Sequence, residues 1–203
     1  FFKLTTQTIQ HFHKDPVGKS IKKLNDVAFL QYTSGSTGDP KGVIITHQNI
    51  INNTSKIARL FDDIDNMVSW LPLYHDMGLM NALFLPLYCG IPAHILPPSS
   101  FLKNPRCWLD LISQLPNCAS GGPNFAFEYC IKKIPTPERN KFKLQHWKVA
   151  YIGAEPNRHK TLLRFSQAFK ESGFNYDCFF PCYGLAESTV GVTGRHAKNN
   201  KSA

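Results

Sequence analysis

Four clusters in this chain combine residue types suited to phosphate and carboxylate chemistry. The first is Thr33-Ser34-Gly35-Ser36-Thr37-Gly38-Asp39-Pro40-Lys41-Gly42. Its glycines allow a tight turn and bring backbone N–H groups close to an anion. Its hydroxyls add donors, and Lys41 adds a point charge. The chemistry expected of it is phosphate binding. It is not a Walker A loop, because Lys41 is followed by Gly42 rather than by Ser or Thr. The plain alternative for a short Gly/Ser cluster is a surface turn. The second cluster is Pro72-Leu73-Tyr74-His75-Asp76-Met77-Gly78-Leu79, the third Gly153-Ala154-Glu155-Pro156, and the fourth Tyr183-Gly184-Leu185-Ala186-Glu187.

Each candidate has a structural alternative. A lone histidine such as His75 is often a hydrogen-bonded structural residue, and Asp76 beside it suits orienting a ring or capping a helix. His47 reads as a helix N-terminal residue rather than a ligand. A carboxylate such as Glu187 suits magnesium, which takes one or two protein oxygens plus phosphates and water. At the start of a helix the same residue is favoured by the helix dipole. Tyr183 at a strand end reads as a core aromatic. Gly184 points to close backbone approach, where a side chain would block a ligand.

These clusters follow predicted strands. Val27–Tyr32 delivers the first, and Thr46 caps a helix to about Phe61 with Ile50, Thr54, Ile57 and Phe61 on one side. Met67–Leu71 is a strand leading to the second cluster. A helix over Leu79–Tyr88 closed by Gly90, a strand Ala93–Leu96 and a helix near Pro105–Leu115 follow. Cys118–Ser120 is a short strand before Gly121-Gly122-Pro123, and Asn124 caps a helix to Ile134. The stretch from Pro135 to Gln145 reads as a polar loop. Trp147–Ile152 carries the third cluster, and Asn157 caps the next helix, closed by Gly173. Tyr176–Phe180 carries the fourth, and Val190–Thr193 starts one more strand. Residues 1–25 read as a linker or the end of a preceding element, and 195–203 as a polar tail, disordered or cut. Alternating strands and helices imply a layered α/β fold with a largely parallel sheet. Ligands in such sheets lie beyond the carboxyl ends of the strands.

The chain has 203 residues, 42% hydrophobic and 18% charged, which suits a globular domain. No stretch is long and apolar enough to span a membrane. The net charge of +9 comes from scattered lysines without regular aromatic interleaving, so nucleic acid is not expected as a partner. A solvated basic surface or an acidic protein partner accounts for it. The six cysteines contain no C-x-x-C pair. They read as reduced thiols of a cytoplasmic protein, and a zinc site at Cys178 and Cys182 has the wrong spacing.

Together and in this order, the clusters resemble the large N-terminal domain of the acyl-adenylate-forming superfamily. Within it the chain is similar to the fatty-acyl-AMP ligase family. That narrower likeness rests on Trp70-Leu71-Pro72 with Tyr74-His75-Asp76-Met77-Gly78-Leu79, on Gly121 to Glu128, and on Gly153-Ala154-Glu155-Pro156. The resemblance covers residues 26–194, which would form the central part of the AMP-binding domain.

The resemblance implies that a medium- or long-chain fatty acid reacts with ATP to give acyl-AMP and pyrophosphate. The acyl group would then pass to the phosphopantetheine thiol of an acyl carrier protein. By the same resemblance, Thr33, Ser34, Gly35, Ser36, Thr37, Gly38 and Lys41 hold the phosphates. Glu187, helped by Ser36, holds Mg2+. Tyr183, in the run with Gly184, Leu185 and Ala186, stacks on adenine, with Gly153, Ala154 and Glu155 on its other face. His75 lies near the reacting carboxylate, and Met80, Gly122 and Phe125 line an acyl tunnel. Lys41, His75 and Glu187 are the implied catalytic residues. Other readings are an acyl-CoA synthetase, an amino-acid-activating domain, or a truncated non-catalytic nucleotide-binding protein. The chain opens on Phe1, and the family's ribose-binding acid and C-terminal domain are not visible in it. A fragment of a longer protein is therefore expected.

Overall fold

The computed structural model describes residues 23–33 and 40–197. Strands β1 (Val27–Thr33) and β2 (Lys41–Thr46) form an antiparallel hairpin. Helix α1 (His47–Leu60) follows, and Thr46 caps it: its hydroxyl accepts from the Asn49 N–H while the Asn49 side chain accepts from the Thr46 N–H. Strand β3 (Asn66–Ser69) leads to α2 (Asp76–Leu79), a π-helical turn Met80–Phe84 and α3 (Leu85–Cys89). Strand β4 (Ala93–Ile95), helices α4 (Pro98–Lys103) and α5 (Arg106–Ser113), and strand β5 (Cys118–Gly122) come next. Helices α6 (Asn124–Lys133) and α7 (Thr136–Arg139), strand β6 (Trp147–Ile152) and helix α8 (His159–Ala168) precede β7 (Phe179–Gly184) and β8 (Gly191–Gly194).

The main sheet has strand order β4-β3-β5-β6-β7-β8, parallel as far as β7, with β8 antiparallel at the edge. Central strands covered on both faces read as continuous buried runs. Every residue of β3 and β5 is buried, and in β6 only Lys148 is exposed. The smallness of β5 has a steric cause: a Cβ on Gly121 would lie 1.9 Å from the Tyr151 carbonyl oxygen. Trp108, Phe127, Trp147, Phe165 and Phe179 pack edge-to-face on one side of the sheet. The Trp108 indole N–H donates to Ser120 Oγ (2.7 Å), which donates to the Val68 carbonyl (2.7 Å) and so ties β5 to β3.

The α/β class and the largely parallel sheet agree with expectation, with local differences. The first cluster lies between two antiparallel strands, the second of which, Lys41–Thr46, separates it from the helix that opens at His47. The helix expected from Leu79 starts at Asp76 and takes an i→i−5 bond, Leu85 N–H to Met80 O, just before Pro86, which has no N–H to give. Asn124 is the first helical residue of α6, with Pro123 at the cap; its side chain instead accepts from the Arg158 N–H (3.1 Å). Asn157 does not cap α8; it donates to the Ile152 carbonyl (3.0 Å) and ties off the end of β6. The strand expected at Tyr176 begins at Phe179, after a 3-10 turn. The polar loop Pro135–Gln145 contains α7 and buries Phe142 and Leu144. Arg195–Ala197, read as tail, runs beside β7: the Arg195 and Ala197 N–H groups donate to the carbonyls of Pro181 (3.3 Å) and Phe179 (2.8 Å). The rest of that tail and most of the proposed linker lie outside the described residues. Among the described residues no helix is long and apolar enough to cross a membrane.

Candidate active site

The loops after β3, β6 and β7 meet the end of β1 around a cavity of about 910 Å³. Thr33, His75, Ala154, Tyr183, Gly184, Leu185, Ala186 and Glu187 line it. Four separated clusters thus contribute to one concavity at the carboxyl end of the sheet, where this kind of fold binds ligands.

Ser34–Gly38 lie outside the described residues, and with them Ser36 as a second magnesium ligand. Lys41 is exposed and pairs across the hairpin with Thr33, but it does not line the cavity. Gln31, buried in β1, donates its side-chain N–H to the Tyr74 carbonyl (3.0 Å) and fastens the second cluster to the hairpin.

His75 caps α2. Its Nδ1 stands 2.7 Å from Asp76 Oδ1, which also accepts from the Met77 N–H (2.6 Å). The hydrogen bond to Asp76 raises the His75 pKa above its ordinary value; partial burial opposes this, and the Asp76 charge adds to the rise. Asp76 therefore both orients the ring and serves the helix start. His47 is the first residue of α1, as expected of a structural histidine.

Tyr183 is 60% exposed on the cavity wall and is not a core aromatic. Gly184 does make a close backbone approach, but to protein: a Cβ there would lie 2.1 Å from the Val190 carbonyl oxygen. Ala154 faces the cavity with φ 64, whereas Gly153 and Glu155 are not part of its wall. A Cβ on Gly153 would meet Cys182 O and Sγ at 3.0 Å. The Glu155 carboxylate accepts from the Phe125 N–H (2.6 Å), joining the third cluster to the start of α6.

Met80, Gly122 and Phe125, expected to line an acyl tunnel, stand outside this cavity. Met80 is 1% exposed and belongs to the core. Gly122 abuts the Trp70 ring, and Phe125 stands edge-on to the same ring, centroids 6.1 Å apart. None of the three lines the cavity, whose apolar wall includes Ile57, Leu60, Met77 and Phe180.

Sequence reasoning missed Lys56, Gln31 and Asn81, which also line the cavity. Lys56 precedes Ile57 on the helix stripe already recognised as buried, so it stands at the edge of that stripe. No motif in the sequence marks it. The arrangement offers a flat ring at Tyr183, cations at Lys56 and at protonated His75, a hydroxyl at Thr33 and a carboxylate at Glu187. Among the described residues no three His, Cys, Asp or Glu side chains gather around one point. A single exposed Glu187 fits magnesium that takes its remaining ligands from phosphates and water. All six cysteines are unpaired.

Comparison with known proteins agrees with this geometry. The chain is 43% identical over 183 residues to the medium-chain-fatty-acid–acyl-carrier-protein ligase TtuA of Teredinibacter turnerae, covering 89% of this chain and 28% of that protein. The crystal structure of a fatty acyl-adenylate ligase from Legionella pneumophila, in complex with acyl adenylate and pyrophosphate, superposes with a TM-score of 0.80. It is 49% identical, covering 85% of this chain and 31% of that one. The McyG A-PCP structure complexed with phenylalanyl-adenylate gives a TM-score of 0.81 at 26% identity, covering 96% and 33%. The chain spans 28% to 33% of the length of the curated relatives it matches. The AMP-binding enzyme family matches residues 3–203. A sheet of this order, with these loops gathered at its carboxyl end, therefore belongs to the AMP-binding enzyme family, and the chain resembles that family's fatty-acyl-AMP ligases.

Proposed function

We propose that the protein to which this chain belongs activates a medium- or long-chain fatty acid with ATP, releasing pyrophosphate and forming acyl-AMP for transfer to an acyl carrier protein. The observation that carries this reading is the convergence of Thr33, His75, Tyr183 and Glu187 on one cavity, in a chain 43% identical to a fatty-acid–carrier-protein ligase.

In the reaction a carboxylate oxygen bonds to the α-phosphorus while the bond to the pyrophosphate oxygen breaks. Two anions must approach, so charge screening dominates the barrier. The Tyr183 ring supplies a stacking face for adenine, and Ala154, which lines the same cavity, serves its other face. Protonated His75, held by Asp76, faces the reacting carboxylate and α-phosphate. Thr33, with the loop that follows it and Lys41 across the hairpin, serves the outer phosphates, and Lys56 adds a cation. Glu187 would hold magnesium, which neutralises phosphate charge when bound. The unpaired cysteines support a reducing, cytoplasmic setting.

The fold alone does not separate fatty acids from amino acids as substrate, because both kinds of adenylate complex superpose equally well. The lining favours the fatty acid. Asp76, one acid near the reacting centre, is engaged by His75 and Met77 and is not free to pair with a substrate ammonium. The test is pyrophosphate release by the full-length parent, with fatty acids of graded length and with amino acids. Turnover that grows with fatty-acid length supports the proposal. Faster turnover with amino acids, or none with any fatty acid, refutes it. A second assay with CoA and carrier protein as competing thiols identifies the acceptor.

A further inference from the structure

Glu187 sits on a loop closed on itself. The Leu185 N–H donates to the Val190 carbonyl (2.9 Å), Ser188 N–H to Leu185 O (3.0 Å) and Thr189 N–H to Ala186 O (2.8 Å). At its tip Thr189 has φ 73 and ψ −52. A β-branched residue rarely adopts a positive φ, and such a conformation persists only where its surroundings impose it.

The side chain of Asn53, on α1, bonds to both sides of that strained residue. Its Nδ2 donates to the carbonyls of Ser188 (3.0 Å) and Gly191 (2.9 Å), and its Oδ1 accepts from the Gly191 N–H (3.1 Å). These bonds need two donors and an acceptor on one short side chain, which among such residues asparagine provides and aspartate does not. Four residues along α1, Ile57 packs where a Cβ on Gly191 would lie, 3.3 Å from two of its carbons. Lys56 lies between them in sequence and lines the cavity that Glu187 lines. Helix α1 thus holds the loop by a polar clamp and an apolar seat.

We propose that Asn53 is a positioning residue: by holding the strained Thr189 turn it sets where the Glu187 carboxylate stands, and so governs magnesium-dependent nucleotide binding. This rests on the reading of Glu187 as the magnesium ligand. Neither the sequence clusters nor the cavity lining singles out Asn53, which touches the site only through the loop.

The experiment uses the full-length parent with Asn53→Ala, the nearly isosteric Asn53→Asp, the double variant Asn53→Ala/Thr189→Gly, and Glu187→Gln. Calorimetry measures ATP affinity with and without magnesium, and hydrogen exchange follows the Leu185 and Gly191 amides. Losing the clamp should weaken ATP binding in magnesium about tenfold. Binding without magnesium should stay within about twofold, a split that general destabilisation does not produce. The Gly191 amide should exchange about tenfold faster or more. Aspartate should do no better than alanine. Thr189→Gly in the alanine background should recover most of the loss, because glycine takes this φ without strain. Wild-type magnesium response and wild-type exchange in Asn53→Ala overturn the proposal, as does failure of both single variants to fold, which would make Asn53 merely structural. If Glu187→Gln leaves the magnesium response intact, the reading of Glu187 falls instead, and the exchange data still judge the clamp.

Discussion

Gly184 separates a structural demand from a ligand demand at one position. Its ideal Cβ would lie 2.1 Å from the Val190 carbonyl oxygen and 2.9 Å from that carbonyl's carbon. An ordinary carbon–oxygen contact is about 3.3 Å, so Gly184→Ala must open the loop by roughly 1 Å. The same carbonyl accepts from the Leu185 N–H at 2.9 Å, and that bond would be stretched or lost. Overpacking against backbone costs about 1–3 kcal/mol and the hydrogen bond about 1 kcal/mol, together about 2–4 kcal/mol. Urea unfolding followed by tryptophan fluorescence should show a lower midpoint at unchanged slope. Gly42→Ala is the control, because its Cβ would meet the Tyr32 ring at 3.4 Å, an ordinary contact, and should cost less than about 0.5 kcal/mol. Nucleotide affinity should fall with Gly184→Ala as well, because the displaced loop carries Glu187. If Gly184→Ala unfolds with the wild type and only nucleotide affinity suffers, the glycine makes room for ligand rather than for Val190, and this reasoning fails.

Tyr183→Ala should weaken AMP binding about 5–150-fold with little change in stability, because the ring is exposed and stacking on a base is worth about 1–3 kcal/mol. Tyr183→Phe should bind nearly as well as wild type, and calorimetry showing equal affinity for all three proteins refutes the stacking role. Asp76→Asn removes the partner that raises the His75 pKa, so the pKa should fall back towards its ordinary value. Imidazolium then persists to a lower pH than in the wild type, and the alkaline loss of acyl-AMP binding should begin at lower pH. An NMR titration of His75 that is the same in both proteins counts against this. Met80→Ala should cost about 2–5 kcal/mol of stability, as for a buried large-to-small change, and leave the preferred acid length unchanged. A shifted preference would return Met80 to the acyl site.

The sequence by itself determined the layer architecture and the clusters whose residues meet at the cavity. Met67–Leu71 and Trp147–Ile152 read as strands from their apolar runs, and the structure buries all of them but Lys148, as expected of strands covered on both faces. By contrast Val27–Leu30, an apolar run that reads as a buried strand, leaves Val27 and Leu30 exposed in the hairpin. Thr46 was legible as a cap because capping is settled within one turn of chain. The clusters at His75, Ala154 and Tyr183 were legible for a similar reason, since each is a strand end followed by residues that a plain turn does not need. Tertiary structure alone decided how those pieces face one another. Nothing local in Glu155 says that it will serve the Phe125 N–H, or in Met80 that it will point into the core. Gly184 was recognised as a site of close approach, but the neighbour proved to be Val190, brought in by the return of the chain from β7 to β8. Lys56 and Asn53 left no signal, because a lysine and an asparagine on a helix are ordinary, and the Asn53 partners lie more than a hundred residues away. Propensity, capping and periodicity act over a few residues and are written in the chain. Which side of a helix meets which loop depends on how all the layers pack together, and only the folded molecule resolves that.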